Sequence, residues 1–208
     1  MKKKRDAEVT KARILAAAKT AFATGGLGGA RVDEIAELAD ANKRMIYHYF
    51  DSKEGLFQAV LEAAYADIRM AEQALDLENI PARDALENLV RFTWQYYLDN
   101  PEFITLVNSE NLHKARHLKQ SEIIATLSRR FVDMVGSLLD RGVEEGVFRP
   151  GLDPVQLNIT IAAIGYYYLT NRYTGSIIFE RDLMADEALE ARLAFNMDTV
   201  MRLVCVNP

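Results

Sequence analysis

Cysteine is nearly absent from this chain: Cys205 stands alone among 208 residues. No intramolecular disulfide framework is possible, and the composition suits a reducing compartment. Proline and glycine are also sparse, at 5 and 11 residues, which excludes an all-β chain with a turn every few residues. Long apolar runs are missing too. The longest, from Leu157 to Leu169, is interrupted by Asn158 and Thr160 and is too short to span a bilayer. The start, Met1-Lys2-Lys3-Lys4-Arg5-Asp6, is basic but lacks the apolar stretch of a secretory signal. No phosphate loop, nucleophile elbow or cofactor motif is present. These absences point to a cytoplasmic protein with no membrane partner and no cofactor. What is present is a chain that is 50% hydrophobic, enough to build a core and to exclude global disorder.

The net charge of −5 argues against a polyanionic partner only until it is divided. Residues 1–55 carry eleven basic and eight acidic side chains, a surplus of three positive charges. Residues 56–208 carry fourteen basic and twenty-two acidic ones, a deficit of eight. A basic head on an acidic remainder suits a head that binds an anion.

Hydrophobic spacing is helical throughout, so the fold class is all-α, with about nine helices and no strand. Ile14, Leu15, Ala18, Ala21 and Phe22 form the first stripe, which Gly25-Gly26 should stop. Val32, Ile35, Ala36 and Ala39 form a short second stripe, with Asp33 and Glu34 in the first turn, where acids suit the helix dipole. Asn42 is a good N-cap for a third short helix running from Lys43 to about Tyr49. Asp51 and Glu54 have the spacing of a reciprocal capping pair for a fourth, which reaches the low seventies. Further helices are expected from Pro81 to Leu98, from Glu102 to about Leu112, on to Glu145, from Pro154 to near Asn171, and from about Glu187 to Val204. A helix-turn-helix head over 1–52, with a basic N-terminal arm, should precede a larger helical domain over 53–208.

Residues 31–50 have the size of a helix-turn-helix, whose second helix enters the major groove of DNA. That second helix reads Lys43-Arg44-Met45-Ile46-Tyr47-His48-Tyr49-Phe50. Its N-terminal amides favour phosphate, Lys43 and Arg44 add charge, and Arg44 has the fork that pairs with guanine. Tyr47 and His48 offer hydrogen bonds to phosphate, Ile46 and Phe50 should point inward, and Lys53 begins the next helix within reach of a second phosphate. With Arg31, Asn42 and Met45, these residues make up the expected DNA-binding set.

Residues 10–60 resemble the DNA-binding domain of the TetR family of bacterial transcriptional regulators. The resemblance rests on Ile14-Leu15-Ala16-Ala17-Ala18, Phe22-Ala23-Thr24-Gly25-Gly26, Val32-Asp33-Glu34-Ile35-Ala36, Asn42 to Phe50 and Ser52-Lys53-Glu54-Gly55-Leu56-Phe57, all in register. Asn100-Pro101-Glu102-Phe103 and Asn171-Arg172-Tyr173 are similar to a subgroup associated with aromatic or heterocyclic catabolism. The resemblance implies a repressor that binds a palindromic double-stranded operator as a homodimer formed by its last two helices, and that a small organic effector releases. Three positions, in two places, depart from the family pattern. Ala30-Arg31 replaces a frequent Thr pair, so a charged contact would replace a hydroxyl one. Asp40 stands where the turn often has Gly; Asp tolerates positive φ, but it brings a negative charge towards DNA.

An effector pocket needs apolar walls and a few placed polar groups. Trp94, Tyr97, Phe103, Phe131, Met134 and Tyr167 are the wall candidates, and Asn108, Asn111, His113, Arg116, His117 and Asn171 the polar ones. Arg116 beside His113 and His117 would suit an anion such as a carboxylate. Tyr166, Tyr167 and Tyr168 point about 100° apart on one helix and cannot share one role. Two other readings compete. One is a sensor acting through a protein partner. The other is a metal-dependent enzyme using Glu110, His113 and His117, which would share one face only on an unbroken helix.

Overall fold

The computed structural model describes residues 2–207, with the backbone alone for residues 2–5 and for Gln120. The side chains of the expected basic arm, Lys2 to Arg5, lie outside the described residues. Ten α-helices follow one another: α1 Lys2–Gly29, α2 Val32–Leu38, α3 Lys43–Phe50, α4 Lys53–Gln73, α5 Ala82–Asp99, α6 Pro101–Leu112, α7 Glu122–Glu144, α8 Pro154–Thr170, α9 Arg172–Ile178 and α10 Asp186–Val204. A 3₁₀ turn, Leu118–Gln120, precedes α7. Among the described residues the only β pairing is an isolated bridge between Phe148 and Cys205.

Most of the expected helices form where the spacing put them. Helix α9 was not expected: Asn171 ends α8 but, within one residue, also starts a further two turns. Gly26 does interrupt the first helix, with φ 63° and ψ −179°, a conformation open chiefly to glycine. The chain then regains helical geometry up to Gly29 rather than running as a loop. Between α6 and α7, where a bend or helix end was expected between Leu112 and Lys119, the chain turns through Lys114 and Ala115, both at positive φ.

The chain packs as two compact units, residues 1–67 with 101–125 and residues 68–100 with 126–208. This division differs from a cut at 52/53, because the first turns of α4 and all of α6 pack with the head. In the first unit Ile14, Phe22, Ile35, Ile46, Leu56, Phe57 and Leu106 are completely buried, and the rings of Phe22 and Phe57 meet edge to face at 5.1 Å. α6 packs along α1, and α2 bridges α1 and α3. In the second unit α5, α8 and α10 pack on one another around a core that includes Leu86, Leu89, Val135, Leu138, Val200 and Val204. Phe148 fills the end of that core beside Gly142, where any β-carbon would collide with the Phe148 ring.

Candidate nucleic-acid interface and ligand-facing residues

α3 is short, and its geometry depends on its ends. Asn42 is extended, and its Oδ1 accepts from the Arg44 amide at 2.8 Å, the expected N-cap. The turn before it closes through Asp40 N to Glu37 O at 3.0 Å and Ala41 N to Ala36 O at 2.9 Å. Asp40 takes φ 46°, the left-handed region a short polar side chain tolerates. Arg13 of α1 grips this residue from outside the motif: Nη1 donates to Asp40 Oδ2 and Nη2 to Asp40 O, both at 3.2 Å. The acid in the turn therefore carries a counter-ion. Sequence reasoning missed this contact, because a pair 27 residues apart leaves no local signal.

Ile46 and Phe50 point inward as expected, and both are buried. Tyr47, His48 and Arg44 are exposed and Met45 is half-buried. Neither Arg44 nor Lys53 forms an ion pair among the described residues, so both keep free charges. Lys43 differs: its Nζ lies 2.8 Å from Asp33 Oδ1 of α2, and that hydrogen bond raises its pKa. Arg31 is exposed, with Nε 3.7 Å from Glu34. The start of α4 departs from the expected Asp51–Glu54 box. Ser52 Oγ accepts from Gly55 N at 2.9 Å instead, and Asp51 sits at φ 62° as the end of α3. Gly55 is needed there, since a β-carbon would fall 2.1 Å from the Phe50 carbonyl oxygen. The Ser-x-x-Gly spacing was the signal for this junction.

The residues proposed for an effector divide between the two units. Phe103, Asn111, His113, Arg116 and His117 belong to the first, and Trp94, Tyr97, Phe131, Tyr167 and Asn171 to the second. In the first unit, Glu110 is 1% and His117 5% exposed. Glu110 Oε1 accepts from the amides of His117 at 2.8 Å and Leu118 at 3.0 Å, and Oε2 meets His117 Nδ1 at 2.7 Å. Burial works to raise the Glu110 pKa, but these hydrogen bonds outweigh it and leave the pKa lowered. His113 Nδ1 donates instead to Ser109 O at 2.7 Å, with its ring 5.8 Å from that of His117. The ring of Phe57 packs against that of His117 at 5.1 Å. α6 ends before the two histidines, so the Glu110, His113 and His117 constellation does not form; Glu110 and His117 spend their chemistry on closing the loop. No group of three metal-ligating side chains occurs among the described residues. Arg116 and Asn111 are exposed, with Asn111 Nδ2 donating to Val107 O at 2.9 Å. Phe103 is buried against Tyr65, ring centroids 5.4 Å apart.

In the second unit the tyrosine triplet separates as helical geometry requires. Tyr166 packs on Tyr97 at 6.3 Å. Tyr168 packs on Trp94 at 5.7 Å and donates its hydroxyl to Leu183 O at 2.8 Å, and burial raises its pKa. Tyr167 is 65% exposed. Tyr167 and Asn171 share the wall of a cleft of about 600 Å³ with Phe179 and Arg192. Trp94 and Tyr97 are core residues, packed against Gly165. Phe131 is buried beneath the guanidinium of Arg69, 4.0 Å from the ring centroid. Met134 lies one helical turn further along α7.

Comparison with known proteins agrees with this geometry. The family model described as "Bacterial regulatory proteins, tetR family" matches residues 14–60, and the one described as "Tetracyclin repressor-like, C-terminal domain" matches residues 83–200. The HTH-type transcriptional repressor NicS of Pseudomonas putida is 38% identical over 94% of this chain and 92% of its own length. The HTH-type transcriptional repressor SCO4008 of Streptomyces coelicolor is 32% identical over 77% of this chain and 78% of its own. A regulatory protein of the tetR family from Rhodococcus RHA1 shares the fold with a TM-score of 0.73, at 23% identity, covering 95% of this chain and 98% of the other. With a capped, cation-bearing recognition helix in a matched head and a matched helical body, the chain belongs to the tetR family of bacterial transcriptional regulators.

Proposed function

We propose that this regulator is a cytoplasmic repressor that binds a palindromic operator as a homodimer and leaves it when a small organic effector binds. The observation that carries the reading is α3, which offers Arg44, Tyr47 and His48 to solvent behind an intact Asn42 cap. Two such helices, one per protomer, suit successive major grooves about 34 Å apart. The names of NicS and SCO4008 support repression as the output. Exposed apolar side chains on α8 and α10, among them Ile159, Tyr167, Phe195 and Leu203, favour a dimer through these helices, with Tyr173 and Ile177 of α9 and Phe179 just after it also exposed. Among the described residues no helix is long and apolar enough to cross a membrane.

Arg44 is assigned to a base edge, and Arg31, Lys43, Tyr47, His48 and Lys53 to the backbone. Asn42 and Met45 orient the helix. Selecting duplexes from a random pool and titrating the winner at several salt concentrations tests this. Arg44→Ala should cost about 1–3 kcal/mol and relax specificity at one base pair. Lys53→Ala should weaken all sequences and reduce the salt slope by roughly one phosphate. A pool that yields no preferred duplex at moderate salt would favour a sensor acting through a protein partner.

A further inference from the structure

The second unit buries an ion pair that DNA recognition does not use. Arg69 and Glu72 sit one turn apart on α4, with Arg69 Nη1 2.8 Å from Glu72 Oε2. The contact is close but misdirected: Arg69 Nε and Nη1 and Glu72 Oε2 are all buried without a hydrogen-bond partner. Glu72 is 2% exposed. A buried pair recovers its desolvation cost only when its lone pairs and protons are hydrogen-bonded, and unsatisfied buried groups are uncommon enough to need a reason. A cleft of about 170 Å³ adjoins the pair. Leu127 and Met134 of α7 form its apolar side, and Arg130 and Glu78 are the remaining charged groups along it.

We propose that this cleft binds a small organic carboxylate of at most one ring, with Arg69 as its anchor and Glu72 as the resident counter-ion that the ligand replaces. The proposal rests on the effector-responsive reading above and supplies the ligand's class. A guanidinium binds a planar carboxylate through parallel hydrogen bonds, and two of the three Arg69 nitrogens now have no acceptor. Phe131, 4.0 Å beneath the guanidinium, holds its plane, and Leu127 and Met134 would cover a ring. The cleft is smaller than the pockets that enclose drug-sized ligands, which limits the occupant to one ring.

With Glu72 protonated, the charge balance of the cleft accommodates one anion. Three other charged groups line the cleft with Glu72, namely Arg69 on α4, Arg130 on α7 and Glu78 on the segment after α4, and Arg69 is the charge that acts on the Glu72 carboxyl. Burial pushes the Glu72 carboxyl up to about 7, although Arg69 pulls the other way. Glu72 can therefore take a proton near neutrality when a ligand carboxylate claims Arg69, which leaves two cations facing Glu78 and the ligand. Binding is linked to proton uptake and strengthens as the pH falls through 7.

Calorimetry on the full chain, with benzoate as probe and benzamide as its neutral counterpart, tests the site. Benzoate should bind and benzamide should not. Between about pH 6 and about pH 8 benzoate affinity should fall about tenfold, as one linked proton requires. Arg69→Met should weaken benzoate by about tenfold or more while operator binding persists, which shows that the variant is folded. Glu72→Gln should retain benzoate binding and lose its pH dependence. Unchanged benzoate affinity in Arg69→Met overturns the proposal. So does failure of benzoate to bind wild type that still holds its operator, and that outcome leaves the regulator reading standing. Benzoate bound through Arg69 without any effect on operator affinity supports the site and overturns effector release there.

Discussion

In the unit that carries the helix-turn-helix, Glu110 accepts two backbone amides and faces His117 Nδ1, all within 3.0 Å. In the other unit Glu72 touches Arg69 without a hydrogen bond, and Arg69 Nε and Nη1 and Glu72 Oε2 are buried with no hydrogen-bond partner. Both glutamates are almost completely buried, yet hydrogen bonds hold one pKa down while burial pushes the other to about 7. Burial alone does not set the state of a carboxyl; the direction of its partners does. The satisfied pair is a structural clasp, and the unsatisfied one has capacity left for a ligand.

The sharpest way to break the comparison is Glu110→Ala. It strands two amides and an imidazole in the core, and should destabilise the protein by about 3–5 kcal/mol. Urea unfolding at neutral pH measures this. Because the folded pKa of Glu110 is lowered, its contribution is present above the usual carboxylate range and lost as pH falls through the folded value. The gap between wild type and variant should narrow in acid, and a gap that widens there would contradict the clasp.

Glu72 has the opposite sign. Between its ordinary value of 4.5 and about 7 the folded chain keeps a proton that the unfolded chain releases. Its contribution to stability is therefore fully present below the lower value and lost as pH rises to the upper. Relative to Glu72→Gln, wild type should lose on the order of 3 kcal/mol across that window. Parallel stability profiles for the two proteins would mean that Glu72 titrates normally.

The smallest effect separates buried networks from exposed ones within the head. Asn42→Ala removes a single cap bond on an exposed residue and should cost about 1 kcal/mol in thermal or urea unfolding. A loss as large as that of Glu110→Ala would show that the head responds to any deleted polar contact.

Much of the head was legible because its signals are local. A cap acts over two residues, an inward stripe over one turn, and a positive φ at a single position. Asn42, Ile46 with Phe50, and Asp40 could all be read that way. Ser52, rather than Asp51, as the cap of α4 was readable too, given attention to Gly55, whose missing β-carbon lets Phe50 O come close. α9 was missed because Asn171 signals a stop equally well in a chain that continues and in one that restarts. The body was less legible. Its aromatic residues all look like pocket walls in sequence, and only packing separates the core residue Trp94 from the exposed Tyr167.

By itself the sequence determined the helical class, the recognition helix and its cap, and the charge division between head and remainder, because each depends on neighbours within a few residues. Tertiary structure decided the rest. Arg13 reaches Asp40 across 27 positions, and Glu110 and His117 meet because the chain turns between them. Arg69 and Glu72, an ordinary surface pair by spacing, lie buried with Phe131 of α7 under the guanidinium. Burial and the direction of a partner belong to the fold, and they separate a solvated ion pair from a candidate binding site.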